Sequence, residues 1–445
     1  MTGSPVGVIN LECLMSRANI LFTSGYRFRG DLNLANLEAA FSAVIECIEK
    51  FGHRLHFKAQ DDFHWHPADA LEKRFRVVDS DDIDAEFKEQ CRHSLSLVDE
   101  GNHCPMVLTV IRDRNSSHDF IIAQTSEHTY VDARSAEIIF NLIVDYYNAV
   151  SRGDTRHRDE VIAAAKRITT LGSDEMVALL GADGHDREAN IEGLVAYPIA
   201  DVGAYAIPLD AVPECLEKYK QQRFAPVVQY FDIKGLLDRC RLKYPEVTQN
   251  SVACAALTKG FYNLNLKTRN GPDEHIISFK MLSDLLSPEL RKQYSGNYIA
   301  FVPVSVEGNQ PIEDMAKDIH DRIRHFKESK LDLTIFKLTE EAVDAAQVGT
   351  ANDPLSFVVT NWNNYRFINS PEYLHGCQSL RHQSGVNIEP KDTLGAVLVN
   401  RPILVINMSP NHELCLSFFP SLRSEDETLE VAEHIRDVFH QHRAG

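Results

Sequence analysis

A histidine and an aspartate four residues apart, His128 and Asp132, stand in the stretch Gln124-Thr125-Ser126-Glu127-His128-Thr129-Tyr130-Val131-Asp132-Ala133-Arg134-Ser135. The apolar run Phe120-Ile121-Ile122-Ala123 precedes it and an amphipathic pattern follows. The histidine therefore falls at the end of a strand and the aspartate at the start of a helix. Imidazole titrates close to neutral pH, so it can take a proton from a hydroxyl or amine and later return it. In a tight turn the carboxylate of Asp132 would fold back onto the loop or pair with an arginine, and so fix the ring. Ala133 is small where the chain must pack closely before the helix. By itself the spacing is weak, because a chain with 19 histidines meets H-x-x-x-D by chance. The strand-loop-helix context singles this pair out.

The elements that must position the pair are legible on both sides. Gly25 to Gly30 alternates as a strand. Leu37, Phe41, Val44, Ile45 and Ile48 recur at helical spacing, with Gly52 as the expected C-cap. A further strand starts at Arg54. Met106 to Ile111 and Phe120 to Thr125 read as strands joined by a turn carrying Asp113, Asn115 and Ser116. After the motif, Ile138, Ile139, Leu142, Ile143 and Tyr146 form one apolar helical face. Ser151 to about Gln222 is charged, then proline-bearing, and reads as a crossover with one or two helices. A second cycle follows: strand Val227 to Phe231, helix Ile233 to Leu242, helix Val252 to Asn263 capped near Thr248, and strand His275 to Leu282. The run Asn297 to Val304 is apolar, and a long helix carries Ile312 to Phe326. Pro402 to Asn407 and Leu414 to Phe419 predict a hairpin around Pro410-Asn411-His412. Ser424 and Glu427 form a capping box opening the last helix.

Composition bounds the partners. The chain has 445 residues, 44% hydrophobic and 25% charged, enough for two domains. A net charge of -18 argues against nucleic acid, whose phosphates need a basic face. No run approaches the ~18 apolar residues of a membrane span, and Met1 to Pro5 lacks the pattern of a secretory signal. The 9 cysteines are dispersed, with no C-x-x-C, as expected for reduced thiols in a cytoplasmic protein. His53, His56, His64 and His66 lie near one another, but no cysteine or acidic group completes a ligand set, so no metal is expected.

The stretch around His128 resembles the His-x-x-x-Asp motif of the CoA-dependent acyltransferase superfamily, which includes plant BAHD acyltransferases, alcohol acetyltransferases and the condensation domains of nonribosomal peptide synthetases. Other segments carry the likeness further. Tyr26 to Phe57 resembles the family's opening strand and helix, with Gly52-His53-Arg54-Leu55 in place of its proline-bearing end. Val247 to Leu257 is similar to the helix opening the second domain. Ser295-Gly296-Asn297 resembles a Gly-Asn pair, and Phe357-Val358-Val359-Thr360-Asn361-Trp362 the strand that crosses between domains. Glu372-Tyr373-Leu374-His375-Gly376 falls where BAHD members carry D-F-G-W-G. Glu127 replaces a first histidine and Ala133 a glycine. No arginine to pair with the aspartate is found in Phe279-Lys280-Met281-Leu282-Ser283.

The resemblance implies an α+β fold of two chloramphenicol-acetyltransferase-like domains, with mostly antiparallel sheets, flanking helices and a tunnel between them. The expected division is 1–175 for the first domain with the motif, 176–225 for a crossover, and 226–445 for the second domain, whose strand near 357–362 crosses to the first. The resemblance further implies acyl transfer from a thioester to a hydroxyl or amine of a small molecule, in specialised metabolism. His128 would be the general base, Asp132 structural, and Thr360 or Asn361 the oxyanion donor. Tyr130 and Trp362 would contact substrate, and Met281 would line the tunnel. No permanently bound cofactor is expected; acyl-CoA is the expected co-substrate, and an acyl-carrier phosphopantetheine thioester the alternative. The basic stretch Lys218, Lys220, Arg223 is the one docking candidate for a carrier protein. A monomer is expected. A repurposed fold acting as a cyclase or binding protein stands as the reading from another class.

Overall fold

The computed structural model describes residues 6–441 except 60–61, 69–71, 98–102, 117, 182–186, 202–204, 269–274, 345–354, 364, 392–394, 397–398, 410–412 and 420–421. Among these residues the strands are β1 (Ile20–Gly30), β2 (His53–Ala59), β3 (Asp62–Pro67), β4 (Glu72–Ser80), β5 (His103–Asp113), β6 (Asp119–Glu127), β7 (Val227–Asp232), β8 (Ile276–Asp284), β9 (Ile299–Glu307), β10 (Phe357–Asn361), β11 (Cys377–Ile388), β12 (Ile403–Met408) and β13 (Glu413–Phe419). They form two large sheets, β11-β1-β6-β5-β4 and β7-β13-β12-β10-β8-β9, and the separate hairpin β2-β3. This is the expected α+β architecture of two lobes, each a sheet covered by helices. Most pairings are antiparallel; β4 with β5, and β10 with both β8 and β12, are parallel.

Local sequence accounts for the parts nearest the seam. The helix Leu34–Ile45 buries Leu37, Phe41 and Val44 in the first core, each worth roughly 1.5–3 kcal/mol when fully buried. It stops at Ile45, and a short 3-10 turn, Glu49–Gly52, follows, so Gly52 closes that turn rather than the helix. After the motif, the helix Ala133–Arg152 is N-capped by Asp132 and ended by Gly153, whose φ of 70° suits a residue without Cβ. The expected hairpin forms, with Ile406 opposite Leu416; its turn Pro410-Asn411-His412 lies outside the described residues. The capping box forms too, Ser424 N donating to Glu427 Oε2 at 2.9 Å and Glu427 N to Ser424 Oγ at 3.3 Å.

The strand that joins the lobes is β11, and not Phe357–Asn361. β10 sits inside the second sheet, while β11 leaves that half of the chain and pairs along the whole of β1, from Ile20 opposite Ile388 to Gly30 opposite Cys377. Its sequence hides it, because the side chains it buries include Ser379, His382, Gln383, Ser384 and Asn387. Two of them are held by hydrogen bonds, Asn407 Nδ2 donating to Ser384 Oγ at 2.9 Å and Asn387 Nδ2 to the carbonyl of Arg92 at 2.9 Å, whereas the His382 ring packs on Tyr26 and Tyr365 and both its nitrogens are buried without a partner among the described residues.

Candidate active site

β6 ends at Glu127, and His128 follows with its backbone N–H bonded to the Ile20 carbonyl of β1 at 2.9 Å. The ring therefore starts from a rigid sheet. Its Nδ1 lies 2.9 Å from Oδ1 of Asn297. Asn297 Nδ2 donates to the carbonyls of His128 at 2.8 Å and Thr129 at 3.3 Å, so Oδ1 is the atom presented to the ring. An amide oxygen only accepts, so Nδ1 carries the proton and Nε2 keeps its lone pair. The Phe22 ring packs edge-on against the imidazole, centroids 5.2 Å apart. Burial lowers the pKa of His128 below the ordinary imidazole value, against the opposing pull of its own backbone contact, Asp132 and Asn297. The ring is neutral at neutral pH.

Asp132 does not touch the ring. Its carboxylate accepts from Ser135 N at 2.7 Å and Tyr298 N at 3.3 Å, and Arg291 grips it with two nitrogens, at 2.7 and 3.3 Å. This corrects the expectation from Phe279 to Ser283: the partner arginine lies past the end of β8, in a short helical turn, Pro288–Arg291. Arg291 also binds Asp284 and Ser135 Oγ. Burial works against its charge, yet the two carboxylates hold its pKa above the ordinary guanidinium value. Arg291 is 1% exposed and Asp132 2%, so the pair locks the motif loop of one lobe to the other in a place water does not reach.

A cavity of about 780 Å³ opens beside His128 between the two sheets. The register explains its floor. Lys280, Val358 and Ile403 stand side by side on β8, β10 and β12, and Leu282, Thr360 and Val405 follow two residues on. Alternation puts these side chains on the cavity face. Met281, Val359 and Leu404 point the other way into the core, so Met281 does not line the tunnel.

Chains of known structure share this layout over nearly their whole length. Polyketide synthase associated protein 5 from Mycobacterium tuberculosis is 15% identical, with 98% of this chain and 97% of that one aligned and a TM-score of 0.61. The first condensation domain of the calcium-dependent antibiotic synthetase, in complex with a substrate analogue, is 13% identical over 99% and 96%, with a TM-score of 0.68. The fold is that of the condensation domains. A variant of the starter condensation domain of rhizomide synthetase RzmA, in complex with C8-CoA, is 11% identical over 98% and 94%, with a TM-score of 0.63. No protein-family model and no curated protein sequence matches the chain.

On this condensation-domain fold the remaining expected site residues divide. Thr360, Asn361 and Trp362 line the cavity with His128. The Thr360 hydroxyl accepts from Trp362 Nε1 at 3.1 Å, which leaves its own O–H to donate. Asn361 is held in place, Nδ2 donating one N–H to Asn250 Oδ1 at 2.5 Å and Oδ1 accepting from Asn363 N at 2.8 Å. Tyr130 is a correction. Its ring packs on Phe51 and Trp65 in the first core, and its hydroxyl donates to the His53 carbonyl at 3.0 Å while accepting from Arg54 at 2.9 Å. Next to a turn, sequence gives no rule for which side an aromatic faces. Asn297 was visible only as half of a Gly-Asn pair, and its bond to His128, 169 residues away, has no local signal. Among the described residues no group of three or more His, Cys, Asp or Glu is placed to hold a metal ion, and no helix is long and apolar enough to cross a membrane.

Proposed function

We propose that the chain is an acyltransferase that moves an acyl group from a thioester, taken here to be acyl-CoA, to a hydroxyl or amine of a small molecule in specialised metabolism. The observation that carries this reading is the hydrogen bond between His128 Nδ1 and Asn297 Oδ1. With Nδ1–H held by Asn297, Nε2 is a bare base beside the cavity and has no partner among the described residues. It takes the acceptor's proton as the oxygen or nitrogen attacks the thioester carbonyl. The tetrahedral oxyanion then collapses, the C–S bond breaks, and the thiolate recovers the proton from the imidazolium. Thr360 O–H is the donor best placed to stabilise the oxyanion; such a donor is worth about 3–4 kcal/mol. Asp132 and Arg291 are positioning residues. The complex of the RzmA domain with C8-CoA supports a CoA thioester as donor. The basic stretch offers little to a carrier protein, because Lys220 pairs with Glu217 and Arg223 with Glu389.

The test is His128→Ala assayed with acyl-CoA and a panel of alcohols and amines. Loss of about 10²–10⁴ in kcat with binding of the thioester retained is expected. Product formation at near wild-type rate would remove the general base and with it the proposal.

A further inference from the structure

One arm of the cavity is walled by two helices from distant parts of the chain. Asn10–Ala18 contributes Leu11, Leu14 and Met15, and Leu331–Asp344 contributes Ile335, Leu338 and Ala342. Both sets recur at helical spacing, so each helix turns a stripe to the cavity. The one polar side chain on the second stripe, Thr339, gives its hydroxyl back to the Ile335 carbonyl at 2.8 Å. Neither stripe carries a charge. His128 lines the same cavity as these two stripes. From Ile335 to Ala342 the wall runs about 10 Å.

The two walls are fastened to each other. Glu340, on the buried side of the second helix, accepts from the backbone N–H groups of Asn10 at 2.6 Å and Leu11 at 2.9 Å. Separation of the helices would leave two N–H donors without acceptors and the buried carboxyl with Ser173 Oγ alone, so the arm keeps its shape when empty.

We propose that this arm holds the tail of a straight, saturated acyl chain of medium length, and that Leu14, Leu338 and Ala342 set the length accepted. The proposal rests on the thioester reading above and names its acyl group. A charged or strongly polar acyl group finds no partner on these walls, whereas each methylene laid against them leaves water and tightens binding about fourfold.

The experiment measures dissociation constants for N-acetylcysteamine thioesters from acetyl to tetradecanoyl, which carry neither the CoA nucleotide nor a carrier protein. Affinity is expected to rise about fourfold per methylene and to level off at about 8 to 10 carbons, the length of the wall. Ala342→Phe and Leu338→Trp, which fill the arm, move the plateau to shorter chains and cut the long-to-short affinity ratio by about tenfold or more. Leu14→Ala, which enlarges it, moves the plateau the other way and covers the case in which a filling variant fails to fold. A flat chain-length profile in the wild type, or an unmoved plateau in the folded variants, overturns the assignment of the arm while leaving acyl transfer to be judged by His128→Ala. A wild-type chain that binds no thioester of any length overturns both.

Discussion

Replacing Asn297 tests the tautomer directly, because two substitutions act on it in different ways. In Asn297→Leu the Nδ1–H of His128 loses its acceptor, and the carbonyls of His128 and Thr129 lose a donor that stood at 2.8 and 3.3 Å. Unsatisfied buried groups of this kind cost about 1–3 kcal/mol. The freed ring also samples the wrong tautomer and orientation, so kcat should fall about 10–100-fold, or about 1.4–2.8 kcal/mol of transition-state stabilisation. In Asn297→Asp an oxygen still faces Nδ1, but now with a negative charge at hydrogen-bond distance. That charge favours imidazolium and should raise the pKa of His128 by about 1–2. In the wild type, burial keeps that pKa below the ordinary value, so kcat/KM should be flat at neutral pH and fall only on acidification. In Asn297→Asp the acid limb should move up by the same 1–2 pH units. Steady-state kinetics across the pH range, with folding checked by thermal unfolding, decides the matter. Wild-type kcat in Asn297→Leu, or an unmoved acid limb in an active Asn297→Asp, would refute the role given to this amide.

Three further outcomes are expected. Arg291→Met leaves the buried Asp132 without its cation and should cost about 3–5 kcal/mol in urea unfolding; adding Asp132→Asn should recover part of the loss, and strict additivity would count against the pair. Thr360→Val should lower kcat by about 10²–10³-fold with little change in KM, and an equal rise in KM alone would assign the hydroxyl to substrate binding instead. Burial raises the Glu340 carboxyl to about 7, against the pull of Ser173, Asn10 and Leu11. The folded chain thus holds a proton that the unfolded chain releases near pH 4.3. The stability this group contributes is complete below that pH and is lost, by up to about 3 kcal/mol, as pH rises through 7. Glu340→Gln should flatten that slope in urea titrations between about pH 5 and pH 8, and an unchanged slope would assign it to other groups.

Sequence reading reached those parts of the molecule whose physics is local. The strand before His128, the helix that opens after Asp132, the capping box at Ser424 and the closing hairpin each follow from neighbours a few residues apart. The lobe-to-lobe contacts do not. Arg291 meets Asp132 across 159 residues, and nothing in Pro288–Arg291 distinguishes that arginine from a solvated one. β11 was passed over because its buried side chains are polar, so periodicity of apolar residues, the main sequence signal for a strand, is missing. The helix Asn10–Ala18 escaped for a related reason: it buries Glu12 against Lys50 and Trp65, a pairing visible only in three dimensions. Tyr130 shows the complementary error, since residue type beside a motif does not say which way a side chain points.

The position of β11 has a consequence for fragments of this protein. It is the edge strand of the first sheet, and it comes from the far end of the chain. A polypeptide ending anywhere before Cys377 would leave β1 with its outer N–H and C=O groups unpaired along eleven residues, Ile20–Gly30. Such an open edge templates pairing with other chains. The first lobe expressed alone is therefore expected to form aggregates or strand-exchanged oligomers, and a peptide spanning Cys377–Ile388, supplied in trans, should restore it to a single soluble species.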